Sequence, residues 1–215
     1  MEDVRVLAFT ATYGSGPRPE TLESVAALAW EGRFDHEVSW HNPYPAGDPR
    51  NVTAQMERGR QMALEGGYDA LLSVEHDMRV PPNALQRLWN LQAPVAYGVY
   101  LFRHGTPVLN VYERYPAPSV NVGESLSLHP AALARALRRG VAEVSGVGFG
   151  CTLIRRPVLE AIAFRNRDGE SNGADMTFAM DCLRAGFRQM ADFGVACGHW
   201  DGGRWLEPCA GRIAP

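Results

Sequence analysis

The sequence predicts an α/β fold, a single domain with a mostly parallel sheet flanked by helices. Three observations carry that expectation. Between residues 4 and 100, apolar β-rich runs alternate with segments of helical spacing. Gly- and Pro-rich loops punctuate the alternation. The 215 residues are 46% apolar and 21% charged, enough for one core burying roughly 70% of the unfolded surface.

Each element follows from local pattern. Val4–Thr10 is a β-rich run, and "ATYGSGPRP" after it is a loop. Leu22, Val25, Leu28 and Ala29 recur at helical spacing until Gly32 stops them. Phe34–Trp40 predicts a second strand, and "HNPYPAGDP" a second loop. A helix follows over Asn51–Glu65, ended by Gly66 and Gly67. Tyr68–Glu75 predicts a third strand, Pro82–Leu91 a helix with early proline, and Pro94–Tyr100 a fourth strand. Residues 105–123, rich in Pro, Tyr and Asn, read as a long functional loop. Residues 130–139 form a short basic helix, and "VAEVSGVGFGCTLIRR" is glycine-broken β structure. "PVLEAI" starts a helix, "ADMTFAMDCLRAG" is an amphipathic helix closed by Gly186, and "VACGHWDGG" is a late strand.

Composition narrows the partners. A net charge of −3 gives no electrostatic reason to expect nucleic acid or an anionic membrane. No apolar run approaches the ~20 residues of a membrane span. Met-Glu-Asp stands where a signal peptide would carry positive charge. Cys151, Cys182, Cys197 and Cys209 are widely spaced and form no CxxC pair. These features lead to the expectation of a cytoplasmic protein with reduced, mostly buried thiols.

The stretch "LLSVEHDMRVPP" raises the functional question. An apolar strand ends in Glu75, His76 and Asp77, at the edge where open α/β sheets bind ligands. If the strand continues through them, Glu75 and Asp77 point the same way, ~6.6 Å apart. Two carboxylates there suit a hard divalent cation such as Mg2+ or Mn2+, with water and phosphate completing its shell. The plainer role for Asp77 is to cap the turn before the proline-led helix, which needs only one acid. A His-Asp hydrolase site lacks partner histidines at any recognisable spacing.

Two further segments bear on the choice. His199 stands at the tip of a second strand, where an imidazole can join a carboxylate and a diphosphate around a metal. Asp175 precedes the apolar stripe Met176, Ala179, Met180 and Leu183. It is either that helix's N-cap or a general base held at the helix start. Asp181 reads as a solvated helix-face charge.

In order and content, four stretches resemble the GT-A superfamily of nucleotide-sugar-dependent glycosyltransferases, especially small bacterial or phage-like members of its large inverting family. They are "TATYGSG" with its strand; "PRN" with "DALLSVEHDMRVPPNAL"; "GVGFGCTLIRRPVLEAI"; and "GADMTFAMDCLRAGFR" with "GHW". The resemblance implies a GT-A domain over residues 1–215, with a nucleotide-binding half (1–102) and an acceptor-binding half (103–215). Glu75-His76-Asp77 matches the acidic metal motif, implying Asp77, with Glu75, as ligands to Mn2+ or Mg2+ and His199 as a further one. The same resemblance implies that Glu75 and His76 also face the nucleotide. Asp175 matches the catalytic base. Thr10, Ala11, Thr12 and Tyr13 match the nucleoside loop, and Arg50 an arginine near the nucleotide. Gly146, Gly148, Phe149 and Trp200 fall where donor and acceptor are lined. The implied partners are a UDP- or GDP-linked sugar and an acceptor hydroxyl.

The chain departs from that pattern in places. Glu75 replaces the usual first Asp, and Ala174 the Glu beside the base. Ser39, Trp40 and His41 stand where an aspartate commonly reads the nucleobase, leaving that base open. Two rival readings remain: a sugar nucleotidyltransferase, whose basic phosphate loop is missing after the first strand, and a non-catalytic nucleotide-sugar-binding module.

Overall fold

The computed structural model describes residues 3–14, 16–103, 108–114, 124–125, 130–166 and 173–208. Its strands are β1 (Arg5–Ala11), β2 (Arg33–Ser39), β3 (Ala70–Val74), β4 (Met78–Arg79), β5 (Val95–Val99), β6 (Val111–Arg114), β7 (Glu124–Ser125), β8 (Val141–Glu143), β9 (Gly146–Val147), β10 (Cys151–Arg155), β11 (Gln189–Ala196), β12 (Gly198–Trp200) and β13 (Trp205–Leu206). The helices are α1 (Pro19–Ala26), α2 (Arg50–Glu65), α3 (Ala84–Asn90), α4 (Pro130–Arg139), α5 (Arg156–Ala161) and α6 (Ala174–Arg184).

Seven strands form the central sheet in the order β2-β1-β3-β10-β5-β11-β8. β2, β1, β3, β5 and β11 share one direction, while β10 and β8 run against them. The mostly parallel expectation therefore holds, with one departure. β10 is inserted antiparallel between β3 and β5, so these two are not neighbours. That pairing joins segments about eighty positions apart, which no local period encodes.

Burial explains the central strands. β3 and β5 are buried at every residue, as strands covered on both faces must be. Burying each of Leu71, Leu72 and Val95 contributes roughly 1.5–3 kcal/mol of transfer free energy. On edge strand β2, exposed Arg33 and Asp35 alternate with half-buried Phe34 and His36. α2 lies close on β1, because a Cβ at Gly59 would sit 3.0 Å from the Phe9 ring. β5 and β11 meet equally closely at Gly98, where an added Cβ would lie 2.9 Å from Cys197 Sγ and Val195 Cγ1. Cys151, Cys182 and Cys197 are free and buried, as expected, and Cys209 lies outside the described residues.

Two boundaries shift with consequences. β3 ends at Val74, and Glu75–Met78 forms a turn closed by Met78 N–H donating to the Glu75 carbonyl (3.1 Å). The expectation that the strand runs on through Glu75, with both acids on one side, is corrected. Part of the proposed loop at 105–123 is strand β6, which pairs with β9 and β7. Residues 104–107 and 115–123, like Ser15 of the first loop, lie outside the described residues.

Candidate functional site

The carboxyl ends of β1, β3 and β5 share one edge of the sheet, and β10 begins there. The segments that leave these ends build a cleft of about 310 Å3, lined by Glu75, Tyr100, Phe102, Arg103, Asn110, Phe149, Asp175 and His199. Glu75 follows β3, Tyr100 to Arg103 follow β5, Phe149 precedes β10, and Asp175 opens α6. A larger cavity of about 880 Å3 opens at the opposite, amino-terminal end of the strands, between Trp30 and Trp89. Its lining of Gln86, Asn90, Gln92 and Arg155 brings no carboxylate together with an imidazole.

The Glu75–Met78 turn is clamped from three sides. The His76 carbonyl accepts from Arg18 N–H (2.9 Å) and Thr21 Oγ1 (3.0 Å). The Asp77 carbonyl accepts from Trp200 N–H (2.9 Å), and β12 pairs with β4. Trp200 itself stacks under the Arg18 guanidinium, 3.7 Å from its ring centroid, so it braces this turn. Tyr13 meets His76 edge-on, with centroids 5.3 Å apart.

Asp77 is buried, and its bonds are not those of a cap. α3 starts after Asn83 and receives no side-chain cap. Asp77 Oδ2 instead accepts from Arg103 Nη1 (2.8 Å) and lies 3.6 Å from His199 Nε2. Burial alone would raise the Asp77 pKa, but His199, His76 and Arg103 outweigh it and hold the carboxyl below its ordinary value. His199 Nδ1 lies 2.8 Å from the Leu101 carbonyl, which can only accept, so Nδ1 carries the proton. In a neutral imidazole this leaves the lone pair of Nε2 facing a carboxylate oxygen. In that neutral form the pair offers two acceptors 3.6 Å apart, which would suit a cation between them; with Nε2 protonated the same contact lowers the Asp77 pKa.

For the divalent ion that the GT-A resemblance implies, Asp77 and His199 would be the protein ligands, with water or phosphate filling the rest. Glu75 does not complete a trio. Among the described residues, no three His, Cys, Asp or Glu side chains are grouped to hold a metal. Glu75 lines the cleft together with Asp175. Its burial, then the charges of Asp77 and Asp175, push its pKa up to about 8, against the opposing pull of Arg103.

Asp175 is the second residue of α6, and Gly173, with a left-handed φ of 74°, occupies the N-cap. The cap alternative is therefore set aside. Met176 N–H donates to Asp175 Oδ1 (2.8 Å), and burial raises the Asp175 pKa although backbone hydrogen bonds partly offset it. Gly148 lets this acid approach: a Cβ there would lie 2.3 Å from Tyr100 Oη, 2.7 Å from Asn110 Nδ2 and 3.1 Å from Asp175 Oδ2. Phe149 packs on Phe164 and Phe178 beneath the cleft. Gly146 pairs with Tyr112 in the small β9–β6 ladder.

The other expected residues separate. Thr10 and Thr12 are buried, with hydroxyls bonded to His36 Nε2 (2.9 Å) and the Ser39 carbonyl (2.7 Å). Neither presents a hydroxyl to the cleft, and buried Ala11 ends β1. Tyr13 sits near the acids, and burial with the charges of Glu75, Asp77 and Asp175 raises its pKa well above the ordinary value. Arg50 is bound by Asp48 (2.6 Å) and lies over the Tyr44 ring, at the start of α2. Asp181 is no bare surface charge, since it accepts two hydrogen bonds from Arg165 (both 2.9 Å).

Sequence reasoning missed Arg103, Asn110 and the Leu101 carbonyl. The available signal was position: "YLFR" follows a buried strand directly, so its residues emerge at the ligand edge.

No family model matches the chain, and no curated protein matches it. Among solved structures it is similar to the crystal structure of A197 from STIV, at 21% identity and a TM-score of 0.61. That likeness covers 95% of this chain and 91% of the other. The fold is of the Rossmann-like, GT-A type. Within it, the acidic turn lies at the carboxyl end of β3, beside the switch from parallel to antiparallel pairing.

Proposed function

We propose that the protein transfers a sugar from a UDP- or GDP-linked donor to an acceptor hydroxyl, with inversion and with help from Mn2+ or Mg2+. One observation carries this reading. Glu75, Asp175 and His199, from three separate parts of the chain, line one strand-end cleft, and Asp77 lies 3.6 Å from the His199 ring.

The roles follow from charge. Breaking the sugar–diphosphate bond puts positive charge on the anomeric carbon and negative charge on the leaving phosphate. A divalent ion held by Asp77 and His199 would supply Lewis-acid stabilisation to that leaving group. Asp175 takes the acceptor proton as the acceptor oxygen bonds to the anomeric carbon. Its raised pKa makes it a better base than a free carboxylate, and the α6 N-terminus still favours its charged form. Phe102, 37% exposed at the cleft rim, offers an aromatic face to a sugar ring.

The test is calorimetric titration of UDP and GDP, with and without Mn2+, into wild type, Asp77→Ala and Asp175→Asn. Manganese-dependent binding lost in Asp77→Ala but kept in Asp175→Asn, which lacks transfer, supports the assignment. Asp175→Asn turning over at near wild-type rate refutes Asp175 as base. Ala174, where the GT-A pattern carries a Glu, favours one rival: nucleotide binding with neither transfer nor donor hydrolysis would mark a non-catalytic module.

A further inference from the structure

The cleft is rich in acid. Glu75 and Asp175 line it and Asp77 stands behind Arg103 and His199, whereas among the described residues Arg103 is the one basic lining residue apart from histidine. A diphosphate carries negative charge into the same space. Two carboxylates and a diphosphate repel each other strongly where water is largely excluded, so binding needs a cation.

Arg103 is placed to be that cation. Its Nη1 donates to Asp77 Oδ2 (2.8 Å), the oxygen that also faces His199 Nε2. Among the described residues this is its only hydrogen bond and its only ion pair, so four of its five N–H donors have no acceptor among those residues. The side chain is 45% exposed, so those donors are accessible from the cleft mouth. Its anchor is well fixed: Leu101, two residues earlier, bridges to Leu109 and holds His199 through its carbonyl. One short segment after β5 therefore sets both the imidazole tautomer and the guanidinium.

We propose that Arg103 is a built-in diphosphate-binding cation that shares Asp77 Oδ2 with the divalent ion. Without metal, it neutralises Asp77 and offers its remaining donors to the diphosphate. When a divalent ion takes Asp77 and His199, Arg103 gives up Oδ2 and turns wholly to the phosphate oxygens. A guanidinium suits this exchange because its planar fork binds carboxylate and phosphate alike. This inference rests on the nucleotide-sugar reading and makes two claims beyond it: diphosphate binding survives metal removal, and Arg103 weakens the metal's own hold.

Two titrations test these claims on wild type, Arg103→Met and Arg103→Lys. In the first, Mn2+ alone is titrated with no nucleotide. Arg103→Met is expected to bind Mn2+ about 10-fold more tightly than wild type, because the competitor for Oδ2 is gone. In the second, UDP, GDP and inorganic pyrophosphate are titrated in EDTA. Wild type is expected to bind at least one of them, Arg103→Met about 10- to 100-fold more weakly, and Arg103→Lys in between. Unchanged Mn2+ affinity in Arg103→Met, or metal-free binding equal to wild type, overturns the role of Arg103 but leaves the transfer reading standing if Mn2+-dependent nucleotide binding persists. No diphosphate bound by any of the three proteins, with or without Mn2+, overturns both.

Discussion

Gly148→Ala is the sharpest test of how the site is built. Gly148 does not need glycine for its backbone, since its φ is not left-handed; it needs glycine for space. A methyl group there would stand 2.3 Å from Tyr100 Oη and 2.7 Å from Asn110 Nδ2, about 1 Å inside ordinary contact. Neither neighbour can step aside freely. Tyr100 is 2% exposed and its ring also abuts Gly150, where an added Cβ would lie 2.8 Å from Cε1 and Cζ. Asn110 is 6% exposed and donates to Tyr100 Oη (2.7 Å). Overpacking of this kind costs roughly 1–3 kcal/mol, and loss of the Asn110–Tyr100 hydrogen bond about 1 more. The sum of about 2–4 kcal/mol corresponds to roughly 5–15 °C in Tm for a domain of this size. Differential scanning calorimetry reads it. Gly203→Ala is the control: it has open space around it and no left-handed φ, and it is expected to stay within about 0.5 kcal/mol of wild type. A Tm for Gly148→Ala within about 2 °C of wild type would refute the packing argument.

Other outcomes follow from the same geometry. In EDTA, Glu75→Gln stabilises the protein increasingly as pH rises: the folded acid keeps its proton up to about pH 8, whereas the unfolded one releases it near 4.5. Wild type therefore loses on the order of 2–3 kcal/mol across that window and the glutamine variant does not; urea midpoints that differ equally at pH 5 and pH 8 would contradict this. Arg87→Ala strips both guanidinium bonds (3.0 and 2.7 Å) from buried Asp192 and is expected to cost about 2–3 kcal/mol by urea denaturation, whereas a loss below about 0.5 would count against it. Phe149→Ala opens the Phe149–Phe164–Phe178 cluster beneath the cleft and is expected to cost about 3–5 kcal/mol, with a stability near wild type arguing that the cluster collapses to fill the space.

Much of the fold was legible because periods and stops are local. α2 begins one residue before its expected start, α4 matches its expected span, and β1 and β2 shift by about a residue. What was not legible is non-local. The insertion of β10 between β3 and β5 depends on which buried strands pack best, and several apolar runs satisfy the same pattern. The Glu75–Met78 turn was hidden because Glu-His-Asp-Met reads equally well as the end of a strand. Asp77 and His199 were identifiable from chemistry at strand ends, and they stand 3.6 Å apart. The hydroxyls of Thr10 and Thr12 are engaged elsewhere for a physical reason. A hydroxyl at a strand end can face the crevice or bond its neighbouring strand, and here β2 takes both. Arg103 went unnoticed because a single arginine in an irregular segment carries no spacing at all.

The placement of charge explains why so much structure surrounds one short turn. Burial, then the charges of Asp77 and Asp175, raises the proton affinity of Glu75 beside the sheet edge. A fold that only needed stability would disperse these three carboxylates. Here the His76 and Asp77 carbonyls are tied down by Arg18, Thr21 and Trp200, and the Arg18–Trp200 stack closes over the turn. These contacts fix the turn's backbone, so its acids cannot relax away from one another. The one carboxylate of the three that lies below its ordinary pKa is Asp77, the one facing both histidines and Arg103. The three acids thus differ in proton affinity, Asp77 lowered and Asp175 and Glu75 raised, which matches the ligand, base and cation-dependent roles we propose for them. An incoming cation and its anionic partner relieve that crowding, and the relief is free energy available for binding.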